Sequence, residues 1–127
     1  MSECIPETWK ELHDLQGRIA QWQSQYFPAA EEWELVLGVC EEAGELAQCV
    51  LKMKRGIHPE RYNAERVKDS IGDVIVFLIG ICIQRGWNIA EVLSDTVKEV
   101  LERQFDQRRI PGLTISDTKP SLKVGDQ

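Results

Sequence analysis

Gly38-Val39-Cys40-Glu41-Glu42-Ala43-Gly44-Glu45-Leu46-Ala47-Gln48-Cys49 combines an acidic cluster with helical apolar spacing. It places three carboxylates within five residues of a segment that otherwise has the pattern of a core helix. At about 100° per residue, Glu42 and Glu45 lie on neighbouring azimuths, and Glu41 and Glu45 stack one turn apart. Like charges at these spacings repel. Val36, Val39, Cys40, Ala43, Leu46, Ala47 and Val50 mark the expected buried side, with Glu42 at its border. A solvated acidic face usually carries interspersed Lys or Arg, and the first cation downstream is Lys52. Taken alone, the stretch reads as an exposed charged face.

A second acidic cluster reverses that weighting. Glu65-Arg-Val-Lys-Asp69-Ser70-Ile-Gly-Asp73 runs directly into the apolar segment Val74 to Ile83. Glu65, Asp69 and Asp73 follow one helix face at i, i+4 and i+8. The segment after Asp73 is apolar all round, which predicts a helix buried on every side. A carboxylate in such a place is costly unless it is paired or binds a metal. Two helices with inward acidic patches make an oxygen-rich cation site, and carboxylate and water ligands suit Mg²⁺ or Mn²⁺. Glu65, in the first turn, reads as an exposed acid favouring the positive helix end.

Glu41-Glu42-Ala43-Gly44-Glu45, followed by Gly72-Asp73-Val74, resembles the all-α nucleoside triphosphate pyrophosphatases, the MazG-like and dimeric dUTPase group. Their signature is E-E-x-x-E, a spacer, then E-x-x-D. The resemblance covers roughly Thr8 to Gln107. Its first half matches fully. Its second half departs, because Ser70 stands where the family usually has Glu and Asp69 stands one residue earlier.

The resemblance implies a four-helix, MazG-like bundle that forms dimers or tetramers. It also implies Mg²⁺-dependent hydrolysis of a nucleoside triphosphate to a monophosphate and pyrophosphate, a housecleaning of nucleotide pools. On it, Glu42, Glu45 and Asp73 are metal ligands. Asp69 and Ser70 compete for a fourth place, and Asp69 is preferred because it brings a full charge to a hard cation. Glu41 is expected to hold a metal water or, with Glu42, to serve in catalysis as a base. His13 and Trp22, nine apart on the first helix, match a His and Trp that dCTP-hydrolysing members place around the base. Lys52, and Lys98 and Arg103 on the last helix, are the candidates for the phosphates, although the family's Asn-x-Lys element is not recognisable there. Trp33 and Trp87 read as packing residues.

The bulk properties fit. A chain of 127 residues makes one domain with a sizeable core. A formal charge of −6 argues against binding a nucleic-acid backbone. Cys4, Cys40, Cys49 and Cys82 show no C-x-x-C pairing, and three of them sit in apolar helical stretches, which suggests core thiols in a reducing compartment. No signal pattern opens the sequence, and the apolar run at Val74 to Ile83 is far short of a bilayer span, so a soluble cytoplasmic protein is expected.

In chain order, Pro6 and Glu7 open a first helix carrying Trp9, Leu12, Leu15, Ile19 and Trp22, which Phe27-Pro28 ends. Ala29 to Arg55 is the second, with Gly56 as its stop. Asn63 caps the third, which Gly86 ends near Arg85. Ile89 to about Gln107 is the fourth, with Val92, Leu93, Val97, Val100 and Leu101 as its stripe. The catalytic domain thus spans 1–109, and 110–127 is a polar tail with a possible short extended piece at Leu113 to Ile115. Four helices with short loops make a bundle, and the apolar third helix predicts a homodimer or homotetramer around it. Two other classes compete. A redox di-metal bundle would need Glu-x-x-His pairs, but Lys10 and Arg55 occupy those positions before His13 and His58. A non-catalytic nucleotide-binding or assembly protein would have kept the fold with Ser at 70.

Overall fold

The computed structural model describes residues 7–103. Its elements in order are α1 (Glu7–Tyr26), α2 (Glu32–Lys54), α3 (Ala64–Arg85) and α4 (Ile89–Glu102), with no strand among the described residues. The all-α class and the four helices agree with the sequence reading. The tail 110–127, the piece at Leu113 to Ile115 and any continuation of α4 towards Gln107 lie outside the described residues.

Two asparagines and two glycines punctuate the chain. The Asn63 side chain accepts from Arg66 N at 3.2 Å, and that of Asn88 accepts from Ala90 N at 2.9 Å, each satisfying an orphan amide of the helix it opens. Gly56 (φ 68°) and Gly86 (φ 71°) take the left-handed conformation just past α2 and α3. Behind each glycine the chain closes a Schellman pair. Ile57 N donates to Lys52 O and Gly56 N to Met53 O; Trp87 N donates to Cys82 O and Gly86 N to Ile83 O.

α2 and α3 form the main packed pair, α1 lies against α3, and α4 packs mainly on α1. Gly38 is buried against α3, and a Cβ there would lie 2.6–2.7 Å from Phe77 ring atoms. Arg85 joins the far end of α3 to the start of α2 by a two-pronged bond, donating from Nε and Nη2 to Glu32 at 2.6 and 2.7 Å. Gln16 on α1 fastens the α3–α4 turn. Its Nε2 donates to Trp87 O at 2.9 Å and its Oε1 accepts from Ile89 N at 2.7 Å.

The face that α2 turns inward corrects the sequence reading. Leu35, Gly38 and Cys49 are buried, and Glu42, Glu45 and Lys52 are half-buried. These six positions follow a 3-4-3-4-3 spacing, which is a continuous helix seam. Of the side expected to be buried, only Val39 and Leu46 are half-buried; Val36, Cys40, Ala43, Ala47 and Val50 are exposed. The two seams lie about one residue apart around the helix, and the protomer uses the more acidic one. Cys40 is therefore exposed, while Cys49 and Cys82 are buried as expected. α3 is not covered on every side either. Ile79, Gly80 and Cys82 are buried, but Ile71, Ile75 and Leu78 stand 40–46% exposed at i, i+4 and i+7. The expected α4 stripe, Val92 to Leu101, is exposed throughout. Trp33 and Trp87 are also exposed. Trp33 donates to Glu31, and Trp87 lies under the Arg85 guanidinium. No described helix is long and apolar enough to cross a membrane.

Candidate functional site

The inward seam of α2 brings Glu42 against α3. Its Oε2 is buried and has no hydrogen-bond partner. The Glu42 carboxyl is pushed above the ordinary range, first by burial and then by the charges of Glu45, Asp73 and Glu41. Two acids of α2 and one of α3 thus act on the Glu42 carboxyl. Arg66 Nη2 lies 3.9 Å from Glu45, a half-exposed pair at the edge of contact. Among the described residues no three His, Cys, Asp or Glu side chains converge tightly enough to form a closed metal shell.

Glu42 and Asp73 line one wall of a cavity of about 410 Å³. The remaining walls come from Trp22 and Gln23 of α1, Phe27 and Ala30 of the α1–α2 turn, Glu34 and Leu35 of α2, and Val76 and Phe77 of α3. Trp22 and Phe27 meet edge to face with ring centroids 5.2 Å apart, and Tyr26 stands beside Trp22 at 6.2 Å. All three rings are about half exposed, so an aromatic rim opens onto an acidic wall. Apolar surround with a few convergent polar groups is the usual make-up of a small-molecule site.

The sequence-predicted residues divide into two groups. Trp22, Glu42 and Asp73 line this cavity, with Glu45 and Glu41 acting on Glu42. Asp69 is exposed on α3 and is not among the charges acting on Glu42, whereas Ser70 is buried, 2% exposed. His13 lines a different depression, about 600 Å³, with Asp14, Arg18 and Trp87. Nine residues at about 100° each turn His13 to the opposite side of α1 from Trp22. Lys52 stands over the Tyr62 ring at 5.6 Å. Lys98 is exposed on α4 and Arg103 is the residue that ends it; none of the three cations lines the cavity. Sequence reasoning missed Gln23, Phe27 and Phe77. The signals available were a polar residue next to Trp22, an aromatic before Pro28, and a heptad seam running from Leu35 to Lys52.

No family model matches the chain, and neither a curated protein nor a solved structure shows significant similarity to it. The MazG-like resemblance therefore rests on its motif residues.

Proposed function

We propose that this chain is a divalent-cation-dependent nucleoside triphosphate pyrophosphohydrolase of the MazG-like type. The observation that carries the reading is Glu42 Oε2, a buried carboxylate oxygen with no partner, held among three further acids beside an aromatic-rimmed cavity. A carboxylate so placed is costly unless a cation neutralises it. The donors are all hard carboxylate oxygens, which fits Mg²⁺ or Mn²⁺. Glu42, Glu45 and Asp73 would hold the ion, with Asp69, one turn before Asp73, as a further carboxylate for a second. When bound, the ion supplies charge neutralisation for the triphosphate oxygens and acidifies water.

The chain's own groups do the rest. Trp22 and Phe27 stack on the base, since a stacked ring suits a half-exposed aromatic pair. The half-buried walls of Val76 and Phe77 limit water around the reacting centre. Water oxygen attacks the α-phosphorus and the bond from that phosphorus to the bridging oxygen breaks. Pyrophosphate leaves, and Glu41, at the exposed edge of the cluster, takes the water's proton. The products are a nucleoside monophosphate and pyrophosphate.

The large apolar residues left exposed on α2, α3 and α4 support a homo-oligomer, because a second copy would cover them. Buried Ser70, neutral where the family carries an acid, favours a second reading as a nucleotide-binding protein without turnover. Pyrophosphate release from a panel of ribo- and deoxynucleoside triphosphates in Mg²⁺ separates the two. Orthophosphate with a residual diphosphate would overturn the proposed cleavage position. Binding without any product would favour the second reading.

A further inference from the structure

Gln23 follows Trp22 on α1 and lines the same cavity as Glu42 and Asp73. It is half-buried, yet its side-chain amide makes no hydrogen bond among the described residues. Two other glutamines that reach across helices behave differently. Gln16 bonds Trp87 O and Ile89 N, and Gln84 donates to Ala30 O at 2.5 Å. Gln23 is instead held by packing. Its Nε2 lies over Gly80, where an added Cβ would stand 2.6 Å away. Gly80 is buried in α3, so the missing methyl makes the recess in which the amide nitrogen rests. Of the two polar amide atoms the nitrogen is the one against Gly80, and in this orientation the carbonyl oxygen is the acceptor left for a ligand.

We propose that Gln23 is a specificity-determining residue, its carbonyl oxygen accepting from the exocyclic amino group of the base, and that Gly80 is the positioning residue for its amide. The proposal rests on the cavity being the nucleotide site argued above. A base stacked at the Trp22 rim presents its edge to the neighbouring Gln23. A carbonyl oxygen accepts from an amino group but meets a keto oxygen with two acceptors face to face. Amino-bearing bases such as cytosine and adenine are thereby favoured over their keto counterparts.

The matched pair dCMP and dUMP, and in parallel dAMP and dIMP, tests this by titration calorimetry of the full chain in Mg²⁺, since monophosphates are not turned over. The wild-type protein is expected to bind the amino member about tenfold more tightly, the size of one hydrogen bond set against an unmatched acceptor. Gln23→Leu should bring the ratio close to one. Gln23→Glu keeps the acceptor and should keep the preference, even as overall affinity falls beside Glu42. Gly80→Ala displaces the amide and should lower the ratio with Gln23 still present. If Gln23→Leu fails to fold, the Gln23→Glu and Gly80→Ala ratios decide the matter. A wild-type ratio near one, or an unchanged ratio in Gln23→Leu or Gly80→Ala, overturns the proposal while leaving the hydrolase reading intact. Absence of any nucleotide binding by the wild type overturns both.

Discussion

The side of α2 that packs on α3 carries Glu42 and Glu45, whereas the side turned to solvent carries Trp33, Val36, Leu37, Val50 and Leu51. A surface helix ordinarily has the reverse arrangement. On the proposed function, two different demands would account for the inversion. Carboxylates on the packed seam are a stability cost that a cation site would explain, and an apolar outer face would be covered by another chain. α3 differs: Asp73 lines the cavity but is itself exposed, as are Ile71, Ile75 and Leu78.

Removing the inner charge should have the largest effect. Glu42→Gln keeps size and removes the anion. Turnover should fall by about 10²–10⁴, the range for loss of a group central to proton transfer or charge placement. The melting midpoint of the metal-free protein should stay level or rise, because a buried, repelling charge has gone. Mg²⁺ should raise the midpoint of the wild type and not of the variant. A variant that unfolds, or one that keeps full turnover, would show that Glu42 belongs to ordinary packing.

The outer face comes next. Leu37→Glu with Val50→Glu sets two charges on the exposed apolar side of α2. If a second copy covers this side, light scattering should shift from oligomer to monomer at micromolar concentration, since unpaired charges at an interface centre cost several kcal/mol. An unchanged mass would leave the outer seam without a partner and move attention to Ile71, Ile75 and Leu78.

A smaller effect is expected at the crossing between the two faces. Gly38→Ala pushes a methyl against the Phe77 ring. Overpacking costs about 1–3 kcal/mol, and the better helix propensity of Ala returns up to about 1 kcal/mol of it. The midpoint should therefore fall by a few degrees. Because Phe77 also lines the cavity, affinity for nucleotide should change with it. A gain in stability would mean that the ring moves aside freely.

What the sequence made legible follows the same division. Helix ends were readable because single residues decide them: Asn63 caps, and Gly56 and Gly86 turn left-handed. That Glu42 and Asp73 line one cavity was readable in part, because the two acidic clusters fall on consecutive helices, but Asp73 is exposed and not enclosed as its apolar neighbours suggested. The orientation of α2 was not, because two seams one residue apart compete. Periodicity favoured the apolar seam, while packing on α3 took the one through Gly38, whose missing side chain admits Phe77. Gln23 escaped notice because its meaning depends on Gly80, 57 positions along the chain and on another helix.

The smallest expected effect lies outside both faces, at the Glu32–Arg85 clamp that fixes their relative orientation. Hydrogen bonding from Arg85 holds the Glu32 carboxyl below its ordinary value of 4.5, with burial opposing and the guanidinium charge adding. An acid whose folded value is lowered stabilises the fold above its unfolded value, and that stability is lost as the pH falls through the folded value. Glu32→Gln should thus melt lower than the wild type at neutral pH, and the gap should close as the pH is taken below 4.5. Both side chains are about half exposed, so the gap should be small and should shrink with added salt. A gap that persists unchanged into acid would mean that the variant loses packing at the start of α2, and that the ion pair contributes nothing to the stability of the fold.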